Sequence, residues 1–466
     1  MTTRQEKDSL GSREVPAEVY WGIQTLRAVE NFPVSGLREP GWLIDAYMYI
    51  KKAAALTHRE LGVLDEERAR AIVQACDDVL SGKLRDQFVV DVFQAGAGVS
   101  FHMNVNEVVT NRALEILGEP RANYGRIHPN DHVNMSQSTN DTFPTAMHLA
   151  VLLAWRDFEP ILEALADAFH AKGDEFADAI KSGRTHLQDA VPVTLGQEMH
   201  AYGAALDRSV AVIDSAVEAL VELPMGGNAA GTGINLPDGY RPVIVRHLSE
   251  VTGFDLLKAA DPRERLQSHQ PITGVSASLR NLALELIRIS NDLRLLDSGP
   301  LTGLKEITLP ARQPGSSIMP GKVNPVMPEC LNQIAFHVVG ADLAVAMAAQ
   351  AGQLEINVMQ PVMIWEILFS IEILKNFLEV FRTGCVEGIV ADRERMEDYA
   401  HKSPSLATAL NPVIGYARAA EIVKKALAEN RRVSEVALEE TDLGREELEA
   451  ILSPENLTGQ LDREGQ

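Results

Sequence analysis

Cysteine, aromatic side chains and positive charge are all scarce in this 466-residue chain. Its three cysteines, Cys76, Cys330 and Cys385, are odd in number and far apart. They build neither a disulfide framework nor a zinc pattern, so a reducing cytoplasm is the expected compartment. Phe, Tyr and Trp total 5%, with no basic residues interleaved, which argues against base-stacking surfaces. Lys and Arg number 43 against 65 Asp and Glu, a formal net charge of -22. That sign argues against nucleic acid and anionic membrane as partners, since both attract basic surfaces. No apolar run approaches the roughly 18 residues expected of a membrane span. The charged start, MTTRQEKDSLGSREVP, lacks the apolar core of a secretory signal. No GxGxxG dinucleotide fingerprint occurs either.

What is present is a large reserve of apolar residues, 45% of the chain, against 23% charged. That suffices for a sizeable core and two or three domains. Leu195, Met199, Tyr202, Leu206, Val210, Ile213, Val217 and Leu220 recur at spacings of three and four. Val275, Leu279, Leu282, Leu286, Ile289, Leu293 and Leu296 do the same. Each series predicts a long helix with a narrow apolar seam, suited to near-parallel bundle packing. A third such helix is expected from Phe143 to Ala179, and segments 328–350 and 361–390 are apolar on more than one face. The fold class read from this pattern is mostly α, with a central bundle of long helices. The division along the chain is an N-terminal, mostly helical domain (1–140), the bundle (141–391) and a small C-terminal helical domain (392–466). Long rods with apolar seams also predict self-association.

Three polar segments stand out against this background. Ser136-Gln137-Ser138-Thr139-Asn140-Asp141 precedes the Phe143 helix. One such residue caps a helix, but four in a row leave surplus donors at a helix N-terminus, where anions bind. Gly183-Arg184-Thr185-His186-Leu187-Gln188-Asp189 reads as a polar turn between two long helices, with a histidine able to bind a carboxylate or carry a proton. Gln313 to Pro325, QPGSSIMPGKVNP, carries paired serines, a lysine and hinge-like Gly and Pro residues. It is not a Walker A loop: five residues separate Gly315 from Gly321, and Val323 stands where Ser or Thr would bind magnesium. Its kit suits a proton acceptor beside an anion cradle. His128 and His132, four apart around Asp131, carry no metal expectation, because Pro129 disfavours the helix they would need.

These segments, in this order, resemble the signature regions of the aspartase/fumarase superfamily, GSSIMPGKVNP most closely. The similarity runs from Val19-Tyr20-Trp21-Gly22-Ile23-Gln24-Thr25 to the C-terminal segment. It implies a three-domain helical fold whose long helices assemble into a tetrameric core, with each site drawn from several subunits. It also implies a cofactor-independent carbon–nitrogen lyase acting on a small dicarboxylate. Thr25 to Phe32 and Asn324 to Glu329 look like the ammonia-lyase branch, with L-aspartate going to fumarate. An amine lyase acting on a modified succinate, a fumarate hydratase and a non-catalytic scaffold are the alternatives. By the resemblance Ser316 is the base, and Ser317, Ser138 and Thr139 stabilise the enediolate. Lys322 and Asn324 hold the other carboxylate, while Asn140, Thr185 and His186 surround the amine and Glu329 polarises His186. Three positions depart from the family pattern: Val99 and Asn228 where threonine is usual, and His102 where asparagine is. Threonine at 99 would help bind the carboxylate, so these departures bear on the substrate.

Overall fold

The computed structural model describes residues 2–458, and helices dominate them. Two antiparallel strands, β1 (Thr3–Asp8) and β2 (Gly11–Pro16), open the chain. Helices α1 (Ile23–Asn31), α2 (Gly41–Glu60), α3 (Glu66–Leu80) and α4 (Val99–Ile116) follow. The long α5 (Thr139–Glu175) leads into a hairpin of β3 (Ile180–Thr185) and β4 (Gln188–Thr194). Next come α6 (Leu195–Glu218), α7 (Tyr240–Thr252), α8 (Pro262–Gln267), α9 (Gln270–Leu296), α10 (Val326–Gln350) and α11 (Gln360–Gly384). Shorter helices from Arg393 onward gather a small core of their own, with Leu410, Ile422 and Val436 buried in it.

Apolar spacing explains the long rods. Every residue of the Val275–Leu296 seam in α9 is buried, as is every residue of the Leu195–Leu220 series, which starts with α6. A fully buried side chain of this size contributes about 1.5–3 kcal/mol, so the seams rather than helix propensity hold these elements. The helix expected from Phe143 starts earlier, at Thr139, because Ser138 caps it: its Oγ accepts from Asn140 N at 3.2 Å.

Two expectations need correction. The absence of a span-length apolar segment does not hold: α10 has 25 residues and a mean hydropathy of 1.4 over its best 18, enough in length and composition to cross a membrane. Only 33% of that window is buried within one chain, and Phe336, Leu343 and Met347 lie exposed along it. Pro129 does not prevent a helical turn but begins one, Pro129–Val133, whose N-cap is His128. There His128 Nδ1 accepts from Asn130 N and His132 Nδ1 accepts from His128 N.

The described residues fall into two compact units. The first comprises the chain up to Glu159 with Ala211–Ala283 and Phe336–Leu374; the second comprises Pro160–Val210, Leu284–Ala335 and the residues from Lys375 onward. Each carries a share of the polar segments singled out above.

Candidate active site

In the first unit the site grows around the N-terminus of α5. Asp141, fully buried, clamps this end to a glycine-rich loop. Its Oδ1 accepts from Ser138 N (3.0 Å), and its Oδ2 accepts from Gly226 N (3.0 Å) and Asn228 N (2.8 Å). Burial pushes its carboxyl up to about 6, against the pull of those three N–H donors. Asn140 completes the tie, donating Nδ2–H to Ala229 O at 2.7 Å. Asn228 holds φ at 57°, a left-handed conformation that asparagine tolerates better than threonine. Its side chain donates to Ile234 O, so this departure from the family pattern has a backbone cause.

Gly98 brings α4 against the same place. A Cβ there would lie 1.9 Å from the Phe143 ring, so only glycine lets α4 start beside α5. Val99 then opens α4, 42% exposed and lining a cavity of about 630 Å³ together with Ser100 and Met103. One turn on, His102 is fully buried, and its Nδ1 lies 2.7 Å from Thr139 Oγ1. On the other side of the ring, Nε2 lies 2.7 Å from the ammonium of Lys51. Lys51 is itself fully buried in α2 and also donates to Asn134 Oδ1 (3.1 Å) and Gln137 Oε1 (2.8 Å). Burial holds both Lys51 and His102 well below their ordinary pKa values. Sequence reasoning missed Lys51. The available signal was that its neighbours three and four positions away, Tyr47, Met48, Ala54 and Ala55, are all apolar.

The second unit holds the remaining candidates. The segment expected as a turn between helices is instead the tip of the β3–β4 hairpin. Thr185 pairs with Gln188 across the tip, and His186 (φ 56°) and Leu187 (φ 59°) form the two-residue turn. Positive φ at both positions is type I′ geometry, which normally takes Asn-Gly. For His and Leu it is unfavourable, the sort of outlier that marks a functional constraint. The tip leaves Thr185 and His186 exposed. Below them the hairpin is anchored: Arg184 makes a bidentate pair with fully buried Glu306 (2.8 and 3.0 Å), and Lys181 bridges Glu306 and Glu198. Neither Arg184 nor Glu306 stood out as an anchor in the sequence, because they lie 122 positions apart.

The Gln313–Pro325 segment is a loop that ends where α10 starts. Gly315 N donates to Lys322 O, and Asn324 Nδ2 donates to Gly315 O, both at 2.8 Å. A Cβ on Gly315 would sit 2.7 Å from Asn324 N and Lys322 O, so the closure demands glycine. Lys322 Nζ donates to Asn324 Oδ1, which joins the two residues expected to share a carboxylate. Ser316 Oγ accepts two backbone N–H groups, from Met319 (2.9 Å) and Ile318 (3.2 Å). Ser317 stands exposed beside it, and Glu329 lies in the first turn of α10. Among the described residues His186 and Glu329 share no hydrogen bond. No group of three or more His, Cys, Asp or Glu gathers among them as a metal site.

Taken separately, the loop of the second unit offers a serine oxygen cradled by N–H donors beside a lysine–asparagine pair, and the first unit offers a hydroxyl-rich helix N-terminus of the kind that binds anions. Residues 11–340 match a lyase family model, and residues 406–459 match the fumarase C C-terminal model. An aspartate ammonia-lyase from Bacillus subtilis is 48% identical over 98% of this chain and 96% of its own length. A class II fumarate hydratase from Thermosynechococcus vestitus is 44% identical, covering 98% of both chains. The crystal structure of a fumarate lyase:delta crystallin from Brucella melitensis bound to cobalt superposes with a TM-score of 0.95 at 50% identity, covering 97% of this chain and 99% of its own. With a family model spanning most of its length and relatives this similar across nearly all of it, the chain belongs to the lyase family of the aspartase/fumarase superfamily.

Proposed function

We propose that the chain is an aspartate ammonia-lyase, converting L-aspartate reversibly into fumarate and ammonia. The observation that carries the reading is the pair of N–H groups aimed at Ser316 Oγ. A serine alkoxide is a strong base and unstable in water, and charge-assisted bonds from fixed donors offset that instability.

In the proposed reaction Ser316 takes the proton from the carbon next to the spectator carboxylate. The electron pair left behind moves into that carboxylate, giving an enediolate with an extra negative charge. Ser138, Thr139 and Ser317 donate to it, as an oxyanion hole does. Lys322 and Asn324 hold the second carboxylate. Collapse of the enediolate forms the carbon–carbon double bond and breaks the carbon–nitrogen bond, and ammonia departs past Asn140, Thr185 and His186. In this reading Glu329 polarises His186. Val99 presents a methyl where a hydroxyl would help bind the carboxylate, which costs one contact.

The reading includes a homotetramer in the cytoplasm, with sites built from more than one subunit, and a three-part chain divided near residues 140 and 391. The exposed Thr185 and His186 at the hairpin tip, and the exposed apolar stripe of α10, support assembly. Purified protein offered L-aspartate and, separately, L-malate tests the substrate, with fumarate followed in the ultraviolet. Saturable fumarate release from aspartate supports the reading. Release from malate alone assigns the chain to the hydratases, and silence with both points to a substituted succinate.

A further inference from the structure

Lys51 is fully buried, and among the described residues no carboxylate is bonded to its amino group. Its three partners are His102 Nε2, Asn134 Oδ1 and Gln137 Oε1. Two of these are fixed as acceptors by their own amide groups. Gln137 Nε2 donates to Val133 O and Met135 O, and Asn134 Nδ2 donates to Gln137 O. An ammonium has three N–H donors and no lone pair, so the three acceptors match it one for one. With Lys51 as an ammonium, His102 Nε2 is the acceptor, which puts the imidazole proton on Nδ1, facing Thr139 Oγ1 at 2.7 Å. A hydroxyl oxygen that already accepts from His102 keeps its own proton for another partner.

We infer that Lys51, held as an ammonium, and His102 are positioning residues that fix the Thr139 hydroxyl as a donor towards the anionic substrate. The inference rests on the ammonia-lyase reading and deepens it. It also accounts for histidine at 102, where the family resemblance expects asparagine. A carboxamide there offers the same order, Oδ1 to Lys51 and Nδ2–H to Thr139, so the departure keeps the polarity of the chain of bonds. A deprotonated Lys51 would keep its bonds to Asn134 and Gln137 but reverse the branch through His102: its lone pair would accept from Nε2–H, and Thr139 would spend its proton on Nδ1.

Two substitutions separate polarity from packing. His102→Asn keeps the donor towards Thr139. His102→Asp keeps a partner for Lys51, and forms an ion pair with it, but offers Thr139 only acceptors. Both are measured for kcat and KM with Thr139 present and in a Thr139→Val background, with thermal unfolding to establish folding. The expected result is H102N within about threefold of the parent kcat/KM and H102D at least tenfold lower, the scale of one hydrogen bond to a charged group. In the Thr139→Val background the gap between the two should shrink below threefold. Equal activities of H102N and H102D, or a gap that persists without the threonine hydroxyl, would overturn the inference. Parent protein inactive on aspartate sinks the ammonia-lyase reading instead. The same four variants are then compared by succinate affinity, where the same pattern of gaps supports the relay and its absence overturns it.

Discussion

Valine stands at position 99, where the family resemblance implies threonine. It opens α4 with 42% of its surface exposed, and in the proposed reaction a threonine hydroxyl there would bind a carboxylate. The two side chains are nearly isosteric, so Val99→Thr adds one donor and leaves the packing unchanged. A hydrogen bond to a charged group is worth about 1.5–3 kcal/mol when buried, and partial exposure reduces it to roughly the lower figure. Val99→Thr should therefore raise kcat/KM for L-aspartate about tenfold, mainly through KM. An unchanged KM would show that position 99 does not face the substrate. At this scale the sequence was legible where residue type and chemistry coincide, as with Ser316, Lys322 and Asn324. It was not legible where a residue acts through distant partners. Lys51 meets Asn134 and Gln137 more than 80 positions away, and no local pattern marks that meeting.

Helix α5 begins at a buried charge. Asp141 accepts three backbone N–H bonds, one from Ser138 at the helix's own start and two, from Gly226 and Asn228, that join this turn to the glycine-rich loop. Burial still dominates and raises its pKa from 3.8 to about 6. The folded state therefore binds a proton more tightly than the unfolded chain does. This group's contribution is fully present below pH 3.8 and is lost as pH rises through 6. The rise from 3.8 to about 6 corresponds to about 3 kcal/mol. Stability measured by urea denaturation should fall across that interval, and the slope should diminish in Asp141→Ala. That variant is also less stable at low pH, because three N–H donors lose their acceptor. An identical slope in the variant would place the titration elsewhere. The long helices were legible as elements because their seams repeat with helical spacing. Helix α2 was not, since it is buried on several faces and its apolar residues form no single stripe. The β3–β4 hairpin escaped notice because its tip, His186-Leu187, carries none of the usual turn residues.

Across the whole molecule, apolar surface remains that one chain does not cover. Phe336 (58% exposed), Leu343 (65%) and Met347 (55%) lie at spacings of seven and four along α10. In the proposed tetramer this stripe meets other subunits. Leu343→Glu should then shift the particle to smaller species in analytical ultracentrifugation and abolish turnover, while helical content stays near that of the parent. A variant that remains tetrameric would remove the stripe from the interface. The superfamily was legible at this scale because GSSIMPGKVNP is long and specific. Assembly rests on exposed seams, which the sequence marks only as apolar periodicity. In the proposed reaction Ser316, cradled by two N–H groups, is the base. The most direct measurement compares fumarate formation from L-aspartate by the parent and by Ser316→Ala, at equal concentrations of correctly assembled protein. A positioned base contributes about 10²–10⁴-fold, so the variant should lose at least a hundredfold in kcat with substrate affinity little changed. A variant that retains kcat within a few-fold of the parent would show that Ser316 is not the base.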